Sequence, residues 1–104
     1  MTVAEGWSAR AVVATDAAER YAKQLASHLG RKAEVREEPE GRRVVLGGGS
    51  CLLVATADAL ELRAEADTAE ALEQVQHVVG SHLERFAQRN ELVVAWPMPA
   101  HRVA

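Results

Sequence analysis

Residues 60–66 read L-E-L-R-A-E-A, so apolar and charged side chains alternate along the whole segment. Successive side chains of a β-strand point to opposite faces, and the alternation therefore predicts a strand with one dry face and one wet face. A sheet built from such strands is stable only when another element covers its apolar face. We expect the rest of the chain to supply that cover.

Two segments have the helical spacing that the cover requires. Residues 16–30 and residues 67–90 both carry apolar side chains every three or four positions. The stripe of the second segment consists of Leu72, Val75, Val79, Leu83 and Phe86. Asp16 and Asp67 each begin an Asp-x-x-Glu sequence, which predicts a capping box at both N-termini. Gly30 is expected to end the first helix in the left-handed conformation.

Six strands are predicted around these helices, which gives the order β-α-β-β-β-β-α-β. They are residues 7–15, 33–38, 42–46, 50–56, 60–66 and 91–96. We predict an α+β fold: an antiparallel β-sheet with two α-helices on one face. Residues 1–104 are expected to form a single domain with an ordered core at about 7–97. The strand at 91–96 is apolar on both faces and is expected in the centre of the sheet. Residues 100–104 are expected to form a loose C-terminal tail.

Composition argues against nucleic acid and membranes as partners. The net charge is −3, and no basic run is longer than Arg42-Arg43. Nucleic acids and anionic lipid surfaces both require several Lys or Arg residues on one face. The first residues lack the basic and apolar regions of a signal peptide, and no apolar run is close to the roughly 18 residues of a membrane-spanning helix, so we expect neither segment. A cytoplasmic location is therefore expected.

The core must be assembled from small and aliphatic side chains, because only 4% of the residues are aromatic. Such a core leaves little space for a large cofactor pocket within one chain, and no cofactor is predicted. The single cysteine, Cys51, excludes an internal disulfide. It lies in a predicted strand, away from a helix N-terminus or an adjacent cation, which favours a buried small hydrophobe over a nucleophile.

The glycine run Gly47-Gly48-Gly49 precedes a strand. A phosphate-binding loop instead leads into a helix, whose N-terminus holds the anion. The run is therefore interpreted as a hairpin turn or bulge.

Two histidines lie in nearly identical pentapeptides, S-H-L-G-R at 27–31 and S-H-L-E-R at 81–85. His28 and His82 both flank the apolar face of their helices, where a histidine commonly packs its ring at the edge of the core. The alternative is a metal site or an acid–base pair, with a third ligand from Cys51, Glu84 or a second subunit. The two helices are expected to run antiparallel, which would offset the histidines instead of placing them face to face. His77 and His101 are expected to be solvated.

The polar face of the sheet carries two rows of alternating charge. They consist of Glu34, Arg36, Glu38, Glu61, Arg63 and Glu65. Cross-strand ion pairs on a solvated face are the simplest interpretation, and a dimer interface or ligand platform is the alternative.

Three stretches resemble a bacterial family, domain of unknown function 2218. They are R-Y-A-K-Q-L-A-S-H-L-G-R-K at 20–32, L-E-L-R-A-E-A at 60–66 and V-V-G-S-H-L-E-R-F-A-Q-R-N-E-L-V-V-A-W at 78–96. The resemblance spans about residues 8–96 and implies a small, stand-alone cytoplasmic protein. It also implies genes that often stand beside those of siderophore-interacting and other iron-acquisition proteins. It assigns no activity, and so no role for His28, His82, Arg89 or Trp96.

Three hypotheses of function follow. The first is an accessory or binding protein without catalytic activity, serving iron–siderophore handling, whose candidate partners are a second copy of the chain and a siderophore-pathway protein. The second is a metal- or haem-binding protein that uses His28 or His82. The third is a small enzyme in which His82 acts as acid and base while Arg89 holds an anionic substrate.

Overall fold

The computed structural model describes residues 6–86, 94–96 and 101–103. The elements follow the predicted order β-α-β-β-β-β-α-β. They are β1 (Gly6–Ala14), α1 (Ala18–Leu29), β2 (Glu34–Glu38), β3 (Gly41–Leu46), β4 (Gly49–Ala55), β5 (Ala59–Ala66), α2 (Ala69–Phe86) and β6 (His101–Val103). The α+β prediction is confirmed, and six of the eight elements match their predicted bounds to within two residues. Helix α2 also begins within two residues of its predicted start, whereas the last strand lies elsewhere in the chain.

The six strands form one antiparallel sheet in the order β2-β3-β4-β5-β1-β6. Two-residue turns join β2 to β3 and β3 to β4, since Glu38 pairs with Gly41 and Leu46 pairs with Gly49. The second turn confirms the interpretation of the glycine run. Gly47 has a φ of 56°, the left-handed conformation that tight hairpin turns require at their first central residue.

The helices cover the face of the sheet that the alternation predicts to be dry. On β5, Leu60, Leu62 and Ala64 are fully buried and Ala66 is nearly so. The remainder of the buried core comes mainly from Ala, Val and Leu side chains of β1, β4 and both helices, as the composition predicts. The helical stripes are therefore the cover that the alternating strand requires.

Both predicted capping boxes are wrong, because α1 has no side-chain cap and the hydroxyl of Thr68 takes the role at α2. Helix α1 begins after Ala17, whose backbone N–H donates to Thr15 Oγ1 at 3.1 Å, and its N-cap carries no side-chain cap. Helix α2 begins at Ala69, and the N–H of Ala71 donates to Thr68 Oγ1 at 3.1 Å. Thr68 is therefore the N-cap of α2, bonded to the third residue of the helix.

Gly30 ends α1 but not in the left-handed conformation, since its φ is −63°. Glycine is needed there for a different reason. A Cβ atom at this position would lie 2.8 Å from the Ala26 carbonyl oxygen and 3.2 Å from Val35 Cγ2. The start of β2 thus packs directly against the end of α1, which brings the loop at 30–33 close to both helices.

The C-terminal predictions require correction. Residues 94–96 lie outside any strand, while 91–93 fall outside the described residues. The N–H of Val94 donates to Glu84 Oε2 at 2.8 Å, and Val94 faces the bare backbone of Gly80. Residues 94–96 therefore pack on α2 and do not enter the centre of the sheet.

The place beside β1 is occupied by a strand within the predicted tail. His101–Val103 pairs with Gly6–Ser8 as an edge strand, so this part of the tail is not loose. Residues 87–90, the predicted end of the second helix, lie outside the described residues.

Candidate functional site at the ends of the two helices

The side chains of His28 and His82 are in contact. Their ring centroids are 5.0 Å apart, with the ring planes tilted by 47°. The ring of Phe86 meets His28 edge-on, at a centroid distance of 5.1 Å. The expectation that the two histidines are offset is therefore wrong.

That expectation assumes that the two antiparallel helices lie side by side and touch along their whole length. Antiparallel rods would place the end of α1 beside the start of α2. The observed contacts instead join the last turn of α1 to the C-terminal half of α2, so the helices cross at this point.

The tautomer of His82 is set by a backbone contact within its own helix. His82 Nδ1 lies 2.6 Å from the carbonyl oxygen of Val78. A carbonyl oxygen only accepts hydrogen bonds, so Nδ1 carries the proton and donates it. In the neutral ring, Nε2 then keeps its lone pair and can accept a proton, bind a metal or accept a hydrogen bond.

A cavity of about 450 Å³ opens beside the two rings. Its lining combines apolar side chains, two basic side chains and both histidines. These are Leu29, Ala33, Leu46, Val78, Arg31, Lys32, His28 and His82. A smaller cavity of about 210 Å³ lies against His28 and is lined by Gln24, Ser27, Arg31 and Phe86 as well. The ring of His28 therefore borders both cavities. The larger volume falls in the range of small-molecule sites.

The electrostatic environment of His28 is positive. Burial lowers the pKa of His28 from its ordinary value of 6.5, and the nearby His82, Arg31, Arg85 and Lys32 lower it further. Both effects disfavour the imidazolium form. His28 is therefore a neutral ring at pH 7, placed among cationic groups.

The third ligands predicted within this chain, Cys51 and Glu84, do not complete a metal site. Cys51 is fully buried in the core, and burial raises the pKa of its thiol to about 12. Glu84 accepts the hydrogen bond from the Val94 N–H. Among the residues that the structure describes, no three His, Cys, Asp or Glu side chains are grouped so that they could hold a metal ion.

The remaining candidates lie elsewhere. His77 is exposed, as predicted. The backbone of His101 is in the edge strand β6, so its prediction as part of a loose tail is wrong. Arg89, the predicted anion-holding residue, falls outside the described residues.

The opposite face of the sheet carries the predicted ion pairs. Glu61 pairs with Arg10 at 2.5 Å and also with Arg63, which reaches Glu40 at 2.7 Å. Arg43 pairs with Glu38 at 2.6 Å across β2 and β3. The cross-strand pairs are confirmed, although Arg36 pairs with Glu34 and Arg63 pairs with Glu61 within their own strands.

A buried leucine lies within this charged face. Leu52 pairs in register with Arg43 and Arg63 on the neighbouring strands and is only 3% exposed. The aliphatic parts of flanking arginines commonly cover apolar side chains in this way. The charged network therefore closes the face that the helices leave uncovered.

We expect Glu61→Gln to lower the free energy of unfolding by about 1 kcal/mol at pH 7, because it removes the charge between two arginines. Both arginines are substantially exposed, so water limits the loss. Burial raises the pKa of Glu61, but hydrogen bonds from Arg63 and Arg10 outweigh it and leave the pKa below 4.5. The contribution is therefore present above pH 4.5 and disappears as pH falls through the lowered value.

Urea unfolding at pH 7 and at pH 3 tests this expectation. The exposed Glu73 on α2 provides the control, since Glu73→Gln should change stability by less than about 0.5 kcal/mol. A Glu61→Gln deficit that persists unchanged at pH 3 would contradict the ionic origin of the effect.

The helical spacing places each histidine at the border of its helix but does not indicate the other residues that line the cavity. Arg31 and Lys32 directly follow the helix-ending Gly30, and that basic pair was the available signal. Leu46 and Val78 carry no signal that distinguishes them from ordinary core positions.

Within the described part of the chain, no helix is long and apolar enough to span a membrane.

No curated protein matches the chain. Among solved structures, the chain is similar to the NMR structure of PA4090 from Pseudomonas aeruginosa, with 31% identity and a TM-score of 0.69. The match covers 93% of this chain and 98% of that one. Residues 10–97 match the family described as "Uncharacterized protein conserved in bacteria (DUF2218)". The chain therefore belongs to this family, the domain of unknown function 2218.

Proposed function

We propose that this protein is a small accessory protein that binds a small molecule in the cavity beside His28 and His82. The observation that carries the proposal is the contact of the two rings at a cavity of about 450 Å³. Ligand sites typically combine an apolar lining with a few convergent polar groups, and this cavity has that composition.

Ligand-detected NMR with a set of small aromatic fragments tests the proposal. Fragments should bind the wild-type protein and lose binding in Ala33→Trp, which fills the cavity, and in His82→Ala. His77→Ala is the matched control, because it removes an exposed histidine from the same helix and should leave binding unchanged. Circular dichroism would verify that each variant is folded. Absence of binding, or binding that survives both cavity variants, would contradict the proposal.

Metal binding by His28 and His82 is a second candidate, favoured by one observation. The Nδ1–H of His82 is held by the Val78 carbonyl, which leaves Nε2 as a potential ligand close to the second ring. Two histidines are fewer than the four ligands of a structural zinc site, so a second chain or water would have to complete it. Elemental analysis of purified protein separates the two candidates. Stoichiometric zinc or iron that is lost in His82→Ala and kept in His77→Ala would favour the metal site.

The enzyme hypothesis stays a prediction, as do haem binding, the cytoplasmic location and a homodimer. The link to iron–siderophore handling also stays a prediction, which follows from the family resemblance. A ligand found in the cavity would test that link directly through its chemistry.

A further inference from the structure

We infer that the cavity beside His28 and His82 takes an organic anion, a carboxylate on an apolar body, together with one proton from solvent. This inference rests on the proposed function and specifies its ligand.

The rim of the cavity carries the two cationic side chains of Arg31 and Lys32. Within residues 6–86, 94–96 and 101–103, neither Arg31 nor Lys32 has a carboxylate partner at ion-pair distance. On the opposite face of the sheet, Arg10, Arg43 and Arg63 are all paired with glutamates. The whole chain has a net charge of −3, so this local excess of cations is not a general property of the surface. A cationic cavity favours an anion.

The lining indicates which kind of anion fits. Leu29, Ala33, Leu46 and Val78 come from α1, the following loop, β3 and α2, and they form the apolar part of the cavity. A small inorganic anion would make no contact with these apolar side chains. A carboxylate with an apolar body can place its charge at the rim and its body against these four residues.

The ring of His28 provides a place for the proton. The titratable and charged groups around His28 are His82 and Arg85 from α2 and Arg31 and Lys32 from the loop, while β3 contributes the apolar Leu46. Glu84 of α2 is bonded to the Val94 N–H. These surroundings keep the pKa of His28 low until a negative charge arrives.

A bound carboxylate reverses this balance, because an opposite charge within a few ångströms favours the imidazolium form. A solvent proton then adds to the neutral ring of His28. The imidazolium formed in this way donates to the carboxylate. No other bond forms or breaks, and the ligand and the protein otherwise stay unchanged.

Isothermal titration calorimetry with three probes of one shape tests the inference. They are 2-naphthoate, the neutral 2-naphthamide and the cationic 2-naphthylmethylammonium. At pH 6, we expect 2-naphthoate to bind at least about tenfold more tightly than the amide, a difference of about 1.4 kcal/mol. Its affinity should fall between pH 6 and pH 8, by up to about tenfold per pH unit if one proton is taken up. Titrations in two buffers with different ionisation enthalpies give the proton uptake directly on the wild-type protein.

Variants assign the effect to individual residues. His28→Asn should reduce the proton uptake, and Lys32→Gln should weaken 2-naphthoate more than 2-naphthamide. His77→Asn and Lys23→Gln, at exposed positions, should leave both probes unaffected. If a cavity variant does not fold, the two-buffer titration of the wild-type protein still decides the question.

The possible failures are distinguishable. Equal binding of 2-naphthoate and 2-naphthamide, lost in Ala33→Trp, would overturn the anion inference and leave the proposed function standing. Affinity for 2-naphthoate that is constant from pH 5.5 to pH 8 would overturn the proton uptake. Absence of binding by all three probes would overturn both the inference and the proposed function.

Discussion

Replacing Leu62 with alanine is expected to lower the free energy of unfolding by about 4 kcal/mol, in the upper half of the range for buried leucines. Leu62 is fully buried on the helix-covered face of β5. Its register partners are Ala11 on β1 and Leu53 on β4. Ala11 is too small to extend into the space that the leucine leaves, so the variant should keep most of the cavity.

Equilibrium unfolding in urea measures this loss. A domain of this size has a total stability of about 5–15 kcal/mol, so the variant should unfold at a much lower urea concentration. Val12→Ala on the neighbouring strand is the control. Val12 is 56% exposed, and its truncation should cost less than about 0.5 kcal/mol. A loss below about 1.5 kcal/mol for Leu62→Ala would contradict the placement of this residue at the centre of the core.

Gly41→Ala is expected to cost about 3 kcal/mol, because the added methyl group has no space between two strands. A Cβ atom at this position would lie 2.0 Å from the carbonyl oxygen of Leu53 and 3.0 Å from its carbonyl carbon. Both atoms belong to the backbone of β4 and cannot rotate away as a side chain would. The strand β3 would have to shift away from β4 at the point where it leaves the β2–β3 turn.

Urea unfolding of this variant, alongside a substitution in the next hairpin, gives the test. Gly47 has a positive φ but open space around its Cβ position. Asparagine tolerates that conformation, so Gly47→Asn should cost less than about 1 kcal/mol. Equal stability of Gly41→Ala and the wild-type protein would contradict the close approach of β3 to β4.

The order of the elements was predictable from the sequence because one-sided burial gives each strand or helix a regular spacing of apolar residues. Strand β5 shows this most clearly, with Leu60, Leu62 and Ala64 buried on one face.

The residues that cap the helices were not predictable. Threonine and aspartate are both good N-cap residues, and which one bonds the helix depends on the angle at which the chain enters. At α2 the structure uses Thr68 in place of the adjacent Asp67, while α1 has no side-chain cap at all.

The candidate site was only half predictable, for a physical reason. The helical period places His28 and His82 at the borders of their helices, and this needs only local information. Their contact depends on the angle at which α2 crosses α1 over the sheet, and the local sequence pattern does not determine that crossing angle. The last strand was misplaced for a similar reason. The side chains of an apolar run such as 91–96 can be buried either in a sheet or against a helix, and the sequence does not distinguish the two. In the structure, Val94 packs against Gly80 of α2.

The most direct test of a ligand site beside His28 and His82 is a titration of isotope-labelled protein with 2-naphthoate at pH 6, followed by two-dimensional NMR. The largest shift changes should occur in the backbone amides of residues 29–33, Leu46 and Val78 and in the imidazole signals of His28 and His82. The imidazole signals of His77 should not move. Shift changes confined to the charged face around Arg43, Leu52 and Glu61, or no saturable changes at all, would contradict the account.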